Sequence, residues 1–188
     1  MSELKILAIS GSLRTQSHNS ALLRAAQKFA PEGFAVDLYD GLREIPSYDQ
    51  DHDTDTPPAP VAELRRRITE ADGLLIATPE YNYGIPGVLK NALDWASRPG
   101  GRSSLNGKPI ALAGTAMSNF GTVRAQLALR QMFLWTDSQV VTKPEVLVFR
   151  SQDRFDQAGH LTDETTVVLL QDLLKALGHK IRSSQAAA

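Results

Sequence analysis

A loop rich in hydrogen-bond donors follows the first apolar run of the chain. Residues 4–10 are mostly apolar, and residues 11–20 then carry one glycine, four hydroxyl side chains and the guanidinium of Arg14. Hydroxyls and backbone N–H groups at the start of a helix are typical of a phosphate site, because the helix dipole adds to the attraction for an anion. A single arginine and several hydroxyls suit the terminal phosphate of a mononucleotide. An ordinary capped turn is the alternative interpretation.

Two other kinds of phosphate loop do not fit these residues. A triphosphate-binding loop would need a glycine-rich span that ends in Lys-Ser or Lys-Thr. A dinucleotide fingerprint would need two further glycines after Gly11. Neither occurs between residues 11 and 20.

A second group of polar and aromatic residues occupies positions 78–87. Its sequence is Thr-Pro-Glu-Tyr-Asn-Tyr-Gly-Ile-Pro-Gly. Pro79 and Gly84 predict an irregular backbone, which leaves amide N–H groups free to bond the edge of a flat heterocycle. Pro86 suits the first position of a following helix. Simple packing of Tyr81 and Tyr83 as a lid is the alternative role for the aromatic side chains.

A third loop, residues 114–122, contains small side chains and two glycines, which would let a ligand approach the backbone closely. All three loops follow apolar runs. A sheet that brings the ends of these runs to one edge would place the three loops together.

Apolar and helical patterns alternate along the whole chain. Strands are predicted over residues 4–10, 34–39, 73–78, 109–114 and 139–141, with 146–149 as an extension. Helices are predicted over residues 19–29, 61–71, 86–96, 122–135 and 163–177. Continuously apolar strands between helices indicate a parallel sheet covered on both faces. This is an α/β, three-layer, flavodoxin-like doubly wound fold with a five-stranded parallel sheet of order 2-1-3-4-5, whose ligand crevice lies at the carboxyl ends of strands 1 and 3.

Length and composition limit the classes of function. The 188 residues predict one domain over 1–182, and residues 183–188 lack periodicity and are expected to fray. The absence of cysteine excludes disulfides, thiolate nucleophiles and thiolate-held clusters, so redox chemistry would need a cofactor. A net charge of −1 gives no attraction for nucleic acid. No apolar run approaches the ~20 residues of a membrane span, and no secretory signal pattern is present, so we expect a cytoplasmic protein.

The spacing of residues supports neither a metal site nor a nucleophilic active site. The acidic stretch 49–60 has threonine and proline where a calcium loop needs glycine and glutamate, so we interpret it as a solvated loop. The four histidines share no metal-ligand spacing, and no serine sits in a nucleophile elbow. We therefore predict neither a metal site nor a catalytic residue.

Several short motifs together resemble one known family. They are Gly-Ser-Leu-Arg at 11–14 with Ser17 and Asn19, Pro-Glu-Tyr-Asn at 79–82, Gly-Ile-Pro-Gly at 84–87 and Lys-Asn-Ala-Leu-Asp-Trp at 90–95. The chain resembles the NADPH-dependent FMN reductase family, which includes bacterial quinone, chromate, azo-dye and ferric reductases. The resemblance implies three groups of FMN-binding residues. The phosphate would be held by Ser12, Arg14, Ser17, His18 and Asn19, the ring would be contacted largely through the backbone of Pro79, Glu80, Tyr81 and Asn82, and its other side would be flanked by Ser118 and Gly121.

The third loop departs from the family pattern. Many relatives have Ser-Pro-Gly there, whereas this chain has Met-Ser-Asn at 117–119. The departure affects the pocket for the nicotinamide and the acceptor.

The resulting hypothesis is an FMN-dependent NAD(P)H:acceptor oxidoreductase with tightly bound FMN. Hydride would pass from NADPH or NADH to flavin N5 and then to a quinone, free flavin, chromate, azo compound or ferric complex. The alternatives are a flavodoxin-type electron carrier, which the near-neutral charge and Arg14 disfavour, and an FMN-binding sensor. The resemblance also implies a homodimer or homotetramer. The apolar residues 132–135 are compatible with a subunit contact or with core packing.

Overall fold

A computed structural model describes residues 3–187 of the chain. Its strands are β1 (Leu4–Ser10), β2 (Phe34–Tyr39), β3 (Gly73–Ala77), β4 (Pro109–Thr115), β5 (Gln139–Val140) and β6 (Val146–Val148). Its α-helices are α1 (His18–Lys28), α2 (Ala59–Glu70), α3 (Gly87–Ala96), α4 (Val123–Phe133) and α5 (Glu164–Ala187). Apart from the C-terminal end of α5, the predicted ends lie within two residues of the observed ones.

The strands form one parallel sheet in the order β2-β1-β3-β4-β5. The predicted flavodoxin-like topology is therefore confirmed. Two segments share the fifth position of the sheet. The start of β4 pairs with β5, and the end of β4 pairs in parallel with β6. Pro144 lies between the two segments, and proline has no N–H to donate to a sheet ladder.

Both faces of the sheet are covered, which explains its continuously apolar strands. The first core cluster packs α1 and α5 against side chains such as Ala8 and Leu75. The second packs α2, α3 and α4 against neighbours that point the other way, such as Leu7 and Leu74. The sheet is thus held rigidly between two layers, and its carboxyl edge carries the loops of interest.

The C-terminal helix is longer than the sequence predicts. Its buried stripe continues past Leu177 to Ile181, which is 1% exposed. The expectation of fraying from residue 183 is wrong for residues 183–187, because α5 reaches Ala187 and its last turns are bonded to the amino edge of the sheet. Ser184 donates to Gln139 Oε1 at 2.9 Å, and Gln185 donates to Asp72 Oδ1 at 3.3 Å. Residue 188 lies outside the described residues.

Candidate functional site

The three loops converge on one cavity of about 200 Å³ at the carboxyl ends of β1, β3 and β4. Its lining is formed by Ser12, Arg14, Ser17, His18, Asn19, Pro79, Glu80, Tyr81, Thr115, Ala116, Met117 and Ser151. The sequence-predicted residues from Ser12 to Tyr81 are all among them. Asn82, Ser118 and Gly121 are not.

The first loop is fixed by hydrogen bonds within it and by the start of α1. Ser17 caps the helix, because its side chain accepts from the N–H of Ser20 at 3.3 Å. Ser12 Oγ accepts from the N–H of Arg14, also at 3.3 Å. Arg14 is exposed and donates through one nitrogen to the carbonyl of Gln16 at 2.7 Å, so its other N–H groups stay available to a ligand. The loop is therefore shaped before any anion binds.

Gly11 lets the first loop approach the second. A Cβ at this position would lie 3.0 Å from Leu89 Cδ2 and 3.3 Å from Pro79 Cδ. These contacts are tighter than ordinary packing. The missing side chain thus sets how closely the two loops approach each other.

Asn19 has a structural task that the sequence did not reveal. Its side chain is buried, donates to the carbonyl of Thr115 at 3.0 Å and accepts from the N–H of Thr115 at 3.0 Å. Both ends of the amide are therefore engaged by the end of β4. The side chain of Asn19 thus fastens α1 to β4, and the residue still lines the cavity at the start of α1.

His18 begins α1 and stacks on Phe155. The ring centroids are 4.6 Å apart and the planes differ by 9°. Burial, and then the neighbouring Arg14 guanidinium, lower the pKa of His18 from its ordinary value of 6.5. The imidazole is therefore neutral at neutral pH, so at most one of its ring nitrogens donates a hydrogen bond.

The second loop closes in a tight turn. Tyr81 and Gly84 exchange hydrogen bonds of 3.2 and 3.0 Å, and the two residues between them have positive φ, 50° for Asn82 and 67° for Tyr83. This is the pattern of a type I′ turn, which asparagine tolerates well. Asn82 therefore lies exposed at the tip of the turn rather than at the cavity. The N–H of Tyr81 is used within the turn.

Glu80 joins this loop to α4. Its side chain is only 8% exposed, and it accepts from the N–H groups of Arg124 at 2.9 Å and Ala125 at 3.2 Å. It also pairs with the Arg124 guanidinium, which lies 3.7 Å from the ring centroid of Tyr83 and 4.6 Å from that of Phe120. The carboxylate is thus committed to the N-terminus of α4. Any contact that Glu80 makes with a ligand would come from its backbone.

Two predicted residues of the third loop, Ser118 and Gly121, do not line the cavity. Gly121 has φ +53°, and a Cβ there would lie 2.8 Å from the carbonyl carbon of Leu147. It allows close packing against β6. Ser118 is exposed, and its carbonyl accepts from the N–H of Arg150 at 3.2 Å.

Four cavity residues were not predicted individually: Thr115, Ala116 and Met117, which lie in the predicted third loop, and Ser151, which lies outside all three loops. Ser151 follows β6, a segment treated only as an extension, and a lone serine there carried no recognisable motif. Thr115 ends β4 and has a buried hydroxyl with no hydrogen-bond partner among the described residues. A buried polar group usually has a partner, so this hydroxyl at the cavity wall is compatible with a polar ligand.

Over residues 3–187, no helix is long and apolar enough to cross a membrane. The same residues contain no group of three or more histidine, cysteine or acidic side chains that could hold a metal ion.

Fold and site together define a class, the flavodoxin-like α/β proteins that bind a phosphorylated ligand at the first strand-helix turn. The model of the NADPH-dependent FMN reductase family matches residues 4–153, and the chain belongs to this family.

Relatives and solved structures agree with that assignment. The chain is 46% identical to an NAD(P)H-dependent FMN reductase of Pseudomonas aeruginosa, over 93% of this chain and 94% of the relative. It is 39% identical to a quinone reductase of Escherichia coli K12, over 97% of this chain and 98% of the relative. The structure of FerB, a flavoenzyme NAD(P)H:(acceptor) oxidoreductase from Paracoccus denitrificans, superposes with a TM-score of 0.85 at 34% identity, over 96% of this chain and 98% of that one.

Proposed function

We propose that the cavity holds FMN and that the protein oxidises NADPH or NADH and reduces a quinone. The observation that carries the proposal is the convergence of the phosphate-type loop, the Tyr81–Gly84 turn and the end of β4 on one cavity. Family membership supports both the cofactor and the donor. The names of the relatives support the acceptor class.

The residues present fit FMN chemically. Ser12, Arg14 and Ser17 offer hydroxyls and a guanidinium beside the N-terminus of α1, where a phosphate dianion is favoured. The buried hydroxyl of Thr115 lacks a partner that a polar part of the cofactor would supply. His18 is a neutral ring next to the phosphate loop and adds no charge of its own.

When bound, FMN supplies the redox chemistry, since it accepts a hydride from the nicotinamide and passes electrons to the acceptor. The protein then has to hold the cofactor, orient it toward the substrate and shield it from solvent. Arg14 and the hydroxyls would anchor the phosphate end, while the backbone of Pro79 and Glu80 would line the ring. Tyr81 and Met117, 53% and 67% exposed, form an apolar rim against which a planar substrate can pack.

No acid or base is required from the side chains for hydride transfer. The only carboxylate that lines the described cavity, Glu80, is bound by α4, and His18 lies at the phosphate end, beside the first loop. A quinone would therefore take its protons from water or the buffer rather than from a dedicated side chain. Free flavin, chromate, azo compounds and ferric complexes are proposed as further acceptors, reached through the same open side of the cavity.

Steady-state oxidation of NADPH with 1,4-benzoquinone tests this function. The purified FMN-loaded protein should turn over without any added protein, whereas the FMN-free protein should not. An electron carrier would show almost no unaided turnover, and a sensor would be slow with every acceptor. Either result with the loaded protein would contradict the proposal.

We also propose a homodimer or homotetramer that uses the exposed side of α4 and the turn after it. Leu127, Leu134 and Trp135 are 55%, 78% and 75% exposed, although large apolar side chains are usually buried. Phe133, in contrast, is fully buried in the core. Cytoplasmic residence stays a prediction.

A further inference from the structure

A second cavity, of about 250 Å³, lies on the other side of the first loop. It opens between α1 and the carboxyl end of β2, and its apolar part is formed by side chains such as Leu23, Leu38 and Leu42. Hydroxyls of Ser10, Ser12 and Ser20 also line it. The motifs of the sequence analysis assigned no role to this cavity.

Three arginines, Arg14, Arg24 and Arg43, line this cavity. No carboxylate of residues 3–187 lies within 4.0 Å of any of them, whereas elsewhere arginines such as Arg65 and Arg67 do have acidic partners. Arg43 is held by a 2.7 Å bond from its guanidinium to the carbonyl of Leu13, which fixes its direction without neutralising its charge.

One carboxylate, Asp40, also lines the cavity, and Arg24 and Arg43 outnumber it even when Arg14 is engaged by the FMN phosphate. Like charges gathered around a cavity repel one another, and a bound anion relieves that repulsion. Guanidinium groups bind phosphate with two parallel hydrogen bonds, which makes a phosphate monoester the anion best matched to this set. The apolar wall adds a surface for a ring attached to that phosphate.

We propose that this cavity binds the 2′-phosphorylated adenosine end of NADPH and makes the protein prefer NADPH to NADH. The two cavities adjoin at Ser12 and Arg14, which would hold the FMN phosphate, so a dinucleotide whose nicotinamide lies over the first cavity would cross the loop there to place its other end in the second. Arg24 and Arg43 line the second cavity and not the first, and they determine the selectivity. This inference rests on the proposed function, because it takes a nicotinamide nucleotide as the donor.

The direct test is calorimetric binding of adenosine 2′,5′-bisphosphate to the FMN-loaded protein, with adenosine 5′-monophosphate as the comparison. The bisphosphate should bind more tightly, and the Arg24→Gln/Arg43→Gln double variant should lose at least about tenfold of that affinity. Lys28→Gln is the matched control, since it removes one positive charge from α1 where the side chain faces the ring of Phe29, 5.1 Å from its centroid. The control should bind as the unaltered protein does. Equal binding of the two nucleotides, or an unchanged affinity in the double variant, would overturn the inference.

A second measurement separates this inference from the proposed function. The flavin absorbance of the loaded protein is followed after rapid mixing with NADPH or with NADH, in the unaltered protein and in the double variant. The apparent Kd for NADPH should rise at least about tenfold more than that for NADH. Bleaching with both nucleotides but an equal change in the two Kd values would overturn the inference alone. No bleaching with either nucleotide in the unaltered protein would overturn the proposed function as well. Circular dichroism and retained FMN show that the variant is folded.

Discussion

Arg14 is the only lysine or arginine among the described residues that line the candidate FMN cavity. Its side chain is exposed and bonds only a nearby carbonyl, so the fold does not depend on its charge. Arg14→Ala should weaken FMN binding by about 1.5 to 3 kcal/mol, the usual range for a hydrogen bond to a charged group. Fluorescence titration of the FMN-free protein measures this. Arg182→Ala, near the C-terminal end of α5 and not among the residues that line the cavity, should leave the affinity unchanged. An unchanged affinity for Arg14→Ala would remove Arg14 from the site.

Asn19 should behave differently, because its amide holds two backbone groups of Thr115. Asn19→Ala leaves a buried N–H and a buried carbonyl without partners, and it should lower the free energy of unfolding by about 2 to 3 kcal/mol. Urea unfolding of the FMN-free protein measures this change. A variant that binds FMN poorly but unfolds at the same urea concentration as the unaltered protein would show that Asn19 is a ligand rather than a clamp.

Residue roles that depend on distant partners could not be predicted from the sequence. The motif around Asn19 identified the right place, yet its partner Thr115 is 96 positions away. Glu80 is likewise committed to Arg124, 44 positions further on. Local spacing predicts which residues gather at a crevice. It cannot predict which of their polar groups are already used by the protein.

At the level of secondary-structure elements, the start of α5 predicts how the stability of the protein depends on pH. Asp163 caps this helix by accepting from the N–H and hydroxyl of Thr166 at 2.9 and 2.5 Å, and it pairs with Arg154 at 2.5 Å. These bonds, first the one from the Thr166 hydroxyl, hold the pKa of Asp163 below its ordinary value of 3.8. The charged carboxylate of Asp163 therefore stabilises the folded protein at pH values above the ordinary pKa of 3.8. The contribution is lost as the pH falls through the lowered pKa.

Asp163→Ala should therefore reduce the free energy of unfolding by about 1 to 2 kcal/mol at pH 7. The difference from the unaltered protein should shrink as the pH falls below about 3.8. Urea unfolding at several pH values measures both effects. Asp172→Ala serves as the control, since this exposed carboxylate within α5 pairs only with Lys175 at 3.0 Å. A difference in unfolding free energy between Asp163→Ala and the unaltered protein that grows as the pH falls would contradict the capping role.

Element positions were largely predictable because the strands are short, mostly apolar runs and most of them alternate with helices along the chain. Two exceptions have physical causes that apolar periodicity does not show. Pro144 interrupts the last strand position, and α5 outlasts its apolar periodicity because Ser184 and Gln185 bond to the sheet edge. Bonds of polar side chains to a distant edge leave no periodic pattern.

For the whole molecule, the exposed apolar residues at and after the end of α4 predict self-association. Trp135→Glu places a charge in the proposed contact and should lower the mass measured by light scattering to that of a smaller assembly. Val168→Glu is a suitable control, because Val168 on α5 is 54% exposed and lies outside the proposed contact. An unaltered protein that is monomeric at every concentration would contradict the proposal.

The flavin spectrum of the reconstituted protein tests the central claim most directly. Protein mixed with FMN and freed of excess should show the bands of bound oxidised flavin near about 370 and 450 nm. Anaerobic NADPH should bleach the longer-wavelength band, and added quinone should restore it. Protein that stays colourless with FMN in excess, or a bound flavin that NADPH does not bleach, would contradict the account.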